Sequence, residues 1–168
     1  MLAEKLQEYG FNVIHEKKDH EAEVFTMSYS NSLETMESYA DKNIDVYIDM
    51  HRDSIDDFDY AKNDVVTVDG KKCARIMFVV GTGEGTEKYH WDKLPDWESN
   101  YALANSITQE LNNLVPGIAK DVMVKKGRYN QHVSGSCLLV EMGYSANSLQ
   151  EVKNSAEYLA VALKNVLS

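Results

Sequence analysis

Short apolar runs of strand length alternate along this chain with segments whose apolar residues recur at helical spacing. The strand-like runs are clearest at residues 44–49, 74–80 and 137–140, and helical spacing is clearest after Asp96 and after Ser148. Continuous apolar strands are typical of a sheet that is buried on both faces. We therefore predict an α/β fold, with a mostly parallel sheet flanked by helices on both faces.

Local signals refine this order of elements. We predict a strand at residues 11–14 and a helix at residues 31–39. The Asp-Gly pair at residues 69–70 favours a tight hairpin turn. Ser148 and Glu151 have the spacing of a capping box, which indicates that the last helix begins there.

Size and charge narrow the class of protein. The 168 residues are 43% hydrophobic, which suits one domain spanning residues 1–168 with a stable core. The 27 acidic residues outnumber the 17 basic ones, giving a formal net charge of −10, so we expect no nucleic-acid partner.

Cys73 and Cys137 lack CxxC spacing, and we predict that both are thiols buried in the core. We find no membrane anchor in this sequence, because no apolar run reaches the length of a span.

Two acid-bearing segments directly follow predicted strands. Residues 49–53 read Asp-Met-His-Arg-Asp, and residues 141–143 read Glu-Met-Gly. In an open α/β sheet, a ligand site forms beyond the carboxyl ends of the strands. We therefore expect His51 and Glu141 to meet at one edge of the sheet, within reach of a common metal ion or water molecule.

Each of these residues also has a structural interpretation. His51 is either a zinc ligand oriented by a nearby carboxylate or part of a surface ion-pair cluster. Glu141 interrupts an apolar run, and a buried carboxylate needs either a cleft or a partner. That partner would be Arg52 or Arg128.

Three loops are further candidates for the site. The glycine-rich residues 81–85 lack the Lys-Ser/Thr of a phosphate-binding loop, so we interpret them as a turn at the rim of a cleft. His90 and Trp91 are candidates for a substrate wall. Residues 129–132, Tyr-Asn-Gln-His, concentrate hydrogen-bonding side chains before a buried strand, which favours substrate contact.

With these motifs in order, the sequence resembles the catalytic domain of the stage II sporulation protein P family. That family comprises peptidoglycan hydrolases of sporulation that are related to zinc-dependent N-acetylmuramoyl-L-alanine amidases. The resemblance covers about residues 2–166. Its most specific parts are residues 46–53, 77–81, 97–100, 128–132 and 138–143, with Asn147.

The resemblance implies a site and a reaction. His51 would be a zinc ligand, and Glu141 the catalytic acid that activates water. Arg52, Tyr129, Asn130 and Gln131 become candidates for substrate binding. The related amidases cut the amide between N-acetylmuramic acid and L-alanine, and an endopeptidase activity is also implied. The resemblance further implies an extracytoplasmic location, at the cell wall or membrane, and partners among sporulation engulfment-complex proteins.

One departure from the family pattern opens alternatives. The family places a first strand with a His-Thr-His-type motif, carrying further zinc ligands, before the helix that opens this chain. A catalytic zinc site needs three protein ligands, and His51 supplies one. Either His15 or His20 substitutes, or the chain is a fragment, or it is a non-catalytic peptidoglycan-binding or scaffold relative. A missing strand would also expose a sheet edge, which favours a homodimer.

Overall fold

The computed structural model of the protein describes residues 1–20, 27–85 and 92–168. Its regular elements alternate between helices and strands. They are α1 (Leu2–Glu8), α2 (Ser28–Glu37), a 3-10 turn (Ala40–Lys42), β1 (Tyr47–Asp53), α3 (Phe58–Asn63), β2 (Val65–Val68), β3 (Lys71–Ala74), β4 (Ile76–Gly81), α4 (Trp97–Leu114), β5 (Met123–Lys125), β6 (Cys137–Tyr144) and α5 (Leu149–Leu167).

Four of the strands form the central sheet, in the order β1-β6-β4-β5. β1 pairs with β6 and β5 with β4 in parallel, whereas β4 and β6 are antiparallel. The predicted α/β class with a mostly parallel sheet is therefore confirmed. The sheet places β6, which carries Glu141, between β1 and β4.

The alternation of side chains along each strand creates two different faces. On one face, Phe78, Val80 and Val140 join the main core with α4, α5 and α1. On the other face, Met77, Val79 and Leu139 form a smaller cluster that packs against Tyr129. The helices α1, α4 and α5 thus cover one face, and the second face carries the polar site.

The helix signals read from the sequence are confirmed. The side chain of Asp96 accepts a hydrogen bond from the backbone N–H of Ser99 at the start of α4. Ser148 and Glu151 make both hydrogen bonds of a capping box at the start of α5. Within α4, the fully buried side chains Ala104, Ile107 and Leu111 face the core.

The predicted turn at residues 69–70 joins β2 and β3 into an antiparallel hairpin. Asp69 and Gly70 both have positive φ, 49° and 76°, as the two central residues of a type I′ turn require. The short helix α3, which precedes this hairpin, was not predicted. Asp57 caps it by accepting a hydrogen bond from the backbone of Tyr60.

Some predicted boundaries are wrong. The strand expected at residues 44–49 runs over Tyr47–Asp53, and the strand expected at residues 137–140 continues to Tyr144. Both motifs therefore lie within strands and not beyond their ends, because pairing of β6 with neighbours on both sides extends the sheet through them. Residues 11–14 have no regular structure, although Phe11 and Val13 pack against the main core. Pairing of backbone groups, which no local pattern encodes, decides these limits.

Both cysteines, Cys73 and Cys137, are buried free thiols, as predicted. Among the described residues, no helix is both long and apolar enough to span a membrane.

Candidate active site

His51 and Glu141 are direct neighbours across the pair β1–β6. Their Cα atoms are register partners in the parallel ladder, and neighbouring strands lie about 4.8 Å apart. Glu141 also stands opposite Met77 of β4, so it belongs to the second face of the sheet. The two residues that the sequence analysis singled out therefore come together on this face.

A β-bulge follows this pair. His51 is in register with Glu141, but Asp53, two residues on, is in register with Tyr144, three residues on, so β6 contains one extra residue. Gly143 lies in this bulge with a φ of +72°. A Cβ at Gly143 would lie 2.6 Å from both Ala74 Cβ and Asn147 Oδ1. The bulge thus explains the glycine of the Glu-Met-Gly motif, and bulges of this kind often re-aim side chains beside active sites.

Asp49 orients the imidazole of His51. The two residues are separated by one position of β1 and share a face, and Asp49 Oδ2 lies 3.0 Å from His51 Nε2. Their side chains are 40% and 38% exposed, so the pair is open to solvent on this face. A carboxylate on one ring nitrogen fixes the tautomer and orientation of a histidine, as in many metal sites.

Glu141 is half-buried and has an unusual environment. Burial, together with the negative charges of Asp53 and Asp49, raises the pKa of Glu141, whereas His51 and Lys125 act in the opposite direction. Its Oε2 atom is buried and accepts no hydrogen bond from the part of the chain that the structure describes. No salt bridge joins Glu141 to Arg52 or Arg128 within the same described ranges. A buried carboxylate oxygen without a partner is typical of a site that binds water, substrate or an ion.

Arg52 points away from this centre and into the loop that follows β6. Its guanidinium donates hydrogen bonds to the carbonyl oxygens of Tyr144 at 2.9 Å and Ser145 at 3.0 Å, and to that of Asn147. The Asn147 side chain in turn accepts from the Tyr144 backbone and donates to the Ala61 carbonyl. These two residues of the motifs hold the bulge and its loop in place.

Gln131 and Asn130 also have partners within the protein. The Gln131 side chain is 1% exposed, accepts from the Gly81 backbone and donates to the Val79 carbonyl. Asn130 donates to the Tyr29 carbonyl at 2.7 Å and to Ser32 Oγ at 2.9 Å. Because the Gln131 amide is buried and bonded to the backbone of β4, this contact argues against its predicted substrate contact. Asn130 uses its amide to hold α2.

Tyr129 lies on the sheet face that carries Glu141. Its ring packs against the Met77, Val79 and Leu139 cluster and meets the ring of Tyr29 edge to face, with centroids 6.0 Å apart. The sequence analysis missed Tyr29. It has no motif around it, and only the docking of α2 brings it to the sheet.

The remaining candidates divide into two groups. The loop at residues 81–85 pairs through its backbone with Lys125, Lys126 and Gly127, so it is part of the framework beside the site. His132 is buried, and this burial, with the nearby charges of Arg128 and Lys93, lowers its pKa to about 4. The predictions for His90 and Trp91 lie outside the described residues.

The described residues do not assemble a complete set of metal ligands. Within residues 1–20, 27–85 and 92–168, no group of three or more His, Cys, Asp or Glu side chains could hold a metal ion. His20 contacts Thr35 of α2 through its Nε2 atom at 2.9 Å. His15 is exposed and lies near Glu4 of α1. Neither contact brings these histidines to His51.

The fold and the site define a mixed α/β protein with a histidine–carboxylate centre on one face of its sheet. Comparison with known families makes this more specific. The family model for Stage II sporulation protein P (SpoIIP) matches residues 1–164, and the chain belongs to this family. Membership gives it a sporulation-related role.

A curated relative supports the same assignment. The stage II sporulation protein P of Bacillus subtilis (strain 168) is 28% identical to the chain over 173 residues, which cover 95% of the chain and 40% of that protein. The chain thus spans about 40% of the length of this relative. No solved structure matches the chain.

Proposed function

We propose that the chain acts in peptidoglycan hydrolysis during sporulation, as a zinc-dependent N-acetylmuramoyl-L-alanine amidase. The observation that carries this proposal is the register pairing of His51 with Glu141 on one sheet face, with Asp49 at the imidazole. The bond cut would be the amide between N-acetylmuramic acid and L-alanine. An endopeptidase activity on the cross-link is a further part of the proposal.

In this mechanism Glu141 is the general base. It takes a proton from the attacking water and delivers it to the amide nitrogen as the C–N bond breaks, which releases the stem peptide as a free amine. Its raised pKa strengthens it as a base. Zinc, when bound, would polarise the amide carbonyl and lower the pKa of water towards ~7.

The described residues fit part of a zinc site. His51 would bind the ion, and Asp49 would hold its ring from behind. Catalytic zinc takes three protein ligands, so the others would have to come from outside the described residues. Among the described residues, Glu141 is the candidate base and His51 the candidate ligand, and no group of three His, Cys, Asp or Glu side chains there completes a coordination shell.

The substrate-binding residues divide by their contacts. Tyr129 is the candidate whose ring lies on the face of Glu141, and we assign it to substrate contact. Arg52, Asn130 and Gln131 would shape the site indirectly, because their side chains hold the bulge loop, α2 and β4.

The test combines metal content with product analysis. The chain, and in parallel a version extended upstream, would be purified without chelator, assayed for zinc and incubated with purified peptidoglycan. Release of stem peptides with a free L-alanine amino terminus is expected. His51→Ala should lower zinc content and release together, whereas substitution of the exposed His15 by Ala, the matched control, should change neither. Digestion that survives His51→Ala would contradict the proposed site.

A second function is favoured by the ligand set, which is incomplete among residues 1–20, 27–85 and 92–168. The chain would then be a non-catalytic peptidoglycan-binding or scaffold relative that keeps the cleft but does not hydrolyse the substrate. It would act outside the cytoplasm, at the cell wall or membrane, together with engulfment-complex proteins. Binding of peptidoglycan with neither zinc nor stem-peptide release, in the chain and in the extended version alike, would support this alternative.

A further inference from the structure

An aromatic wall stands beside the centre formed by His51 and Glu141. It consists of Tyr29 from α2 and Tyr129 from the loop before β6, in edge-to-face contact at 6.0 Å. The ring of Tyr129 packs against the apolar cluster of the second sheet face. Tyr29, by contrast, stays 44% exposed, so part of its surface remains open to solvent.

The position of Tyr29 is held by a hydrogen bond to its backbone as well as by the contact of its ring with Tyr129. α2 buries none of its residues, so apolar packing does little to hold it. Instead, the buried side chain of Asn130 donates to the Tyr29 carbonyl and to Ser32 Oγ. Both Tyr129 and Asn130 adopt positive φ, 48° and 55°, at the centre of a turn that is closed by a hydrogen bond from the Gln131 backbone N–H to the Arg128 carbonyl. Non-glycine residues in this region cost free energy and cluster at functional sites.

The electrostatic surroundings indicate what this wall can accept. Burial, followed by the negative charge of Asp49, the neighbouring Tyr129 and the charge of Glu141, raises the pKa of Tyr29 to about 12. The hydroxyl therefore lies within electrostatic reach of two carboxylates of the site. These two carboxylates would repel a stem peptide, which carries carboxylates of its own. The muramyl sugar is uncharged where it joins the peptide, because its carboxyl group is part of the amide bond, so it would not be repelled.

We propose that Tyr29 is a specificity-determining residue whose exposed ring, backed by Tyr129, packs against the sugar of the muramyl peptide. The inference rests on the proposed amidase function and adds to it the side of the scissile bond that α2 recognises. Aromatic walls of this kind orient ligands through apolar contact, while a few polar groups carry the chemistry.

The test measures binding in the Glu141→Gln background, so that the probe is not consumed. Two probes are compared by calorimetry, N-acetylmuramyl-L-alanyl-D-isoglutamine and the same dipeptide without the sugar. Tyr29→Ala should weaken binding of the sugar-bearing probe about tenfold, as loss of one apolar contact does, and leave binding of the bare dipeptide unchanged. Tyr29→Phe should bind both probes within about threefold of the parent.

Two controls keep the result interpretable. Tyr101→Ala removes a tyrosine on α4 that is 37% exposed and should leave both affinities unchanged. Thermal melting should show that Tyr29→Ala folds, because the Asn130 anchor bonds to a backbone oxygen that the variant keeps. Equal loss for both probes, no loss for either, or no measurable binding by the parent would overturn the inference. Failure of the amidase proposal would be seen separately, as absence of stem-peptide release by the protein with Glu141 intact.

Discussion

The chemistry proposed at this site depends on a glutamate that lies half-buried near two other carboxylates. Burial and the charges of Asp53 and Asp49 raise the pKa of Glu141. A raised carboxyl pKa means that the folded state binds a proton more tightly than the unfolded state, so the stability of the fold falls as pH rises through the range between the two values. At pH values above that range, the ionised carboxylate lowers the stability of the fold, while the proposed role as general base needs that same ionised form.

The substitution Glu141→Gln should separate these two effects. It keeps the shape of the side chain but removes its charge and its capacity to accept a proton. Turnover should fall by about 10²–10⁴, while the free energy of unfolding at pH 7 should rise by about 1 kcal/mol, or about 2–4 °C in melting temperature. Amide hydrolysis and thermal denaturation measure the two effects, and the exposed Glu37→Gln is the control. Lower stability of Glu141→Gln would indicate a structural carboxylate.

The bulge residue Gly143 offers a test of backbone geometry. Its φ of +72° disfavours a side chain, and a Cβ added there would lie only 2.6 Å from both Ala74 Cβ and Asn147 Oδ1. Gly143→Ala should lower the free energy of unfolding by about 3 kcal/mol or more, from left-handed strain plus steric overlap. Gly70→Ala is a matched control, because Gly70 has a φ of +76° with nothing within 4 Å. It should cost about 1 kcal/mol, and denaturant titration compares the two. Equal losses would show that the close approach relaxes freely.

His132 should make stability depend on pH. Its pKa is lowered from 6.5 to about 4 by burial and by Arg128 and Lys93. Because the folded state disfavours the charged ring, its stabilising contribution is complete above about pH 6.5 and is lost as pH falls towards 4. That loss is about 3 kcal/mol. His132→Gln should flatten this part of the stability profile, measured by urea denaturation, whereas the exposed His15→Gln should leave the profile steep.

At the scale of the elements, α2 is held mainly by polar contacts in the part of the chain that the structure describes. None of its residues is buried, and its attachments run through Asn130 at one end and through His20, which contacts Thr35, further along. Elements with few buried apolar contacts open at low free energy. The helix that presents Tyr29 should therefore be sensitive to the loss of a single hydrogen-bonding residue.

Substitution of Asn130 should loosen α2 selectively. Asn130→Ala removes two hydrogen bonds and places a less suitable residue at a φ of 55°, and should destabilise the protein by about 2–3 kcal/mol. Asn130→Gly removes the same bonds but suits the conformation, so it isolates the bonding contribution. Hydrogen exchange of the α2 amides should accelerate in both variants, with α5 as the internal reference. Unchanged exchange in α2 would show that other contacts hold the helix.

At the scale of the whole molecule, the central sheet has two unequal edges. β1 and β5 are the outer strands, with seven and three residues respectively. A long edge strand presents unpaired backbone groups to other chains, whereas a very short one presents few. The homodimer expected through an exposed sheet therefore remains a prediction, and β1 is the edge at which we place it.

Charge at the two edges tests that prediction. Met50 on β1 and Met123 on β5 are 46% and 39% exposed. Met50→Lys should convert dimers to monomers at micromolar concentration, because charge on an edge strand opposes pairing, whereas Met123→Lys should leave the association unchanged. Light scattering after size-exclusion chromatography measures the mass. A chain that is monomeric without either substitution would contradict dimerisation through β1.

The sequence by itself determined the features that depend on neighbouring residues. The caps at Asp96 and Ser148 and the hairpin turn at residues 69–70 follow from local hydrogen bonding and backbone preference, and the alternating elements follow from apolar periodicity. His51 and Glu141 could be singled out because polar residues in apolar runs need an explanation.

Only the tertiary structure decided what depends on contacts between distant segments. Register in the β1–β6 ladder made His51 and Glu141 neighbours within their strands and placed a bulge after them. The same packing turned the Arg52, Asn130 and Gln131 side chains to partners inside the protein and brought Tyr29 to the sheet. The physical reason is that a side chain's hydrogen-bonding capacity is visible in the sequence, whereas the group that satisfies it is chosen by long-range packing.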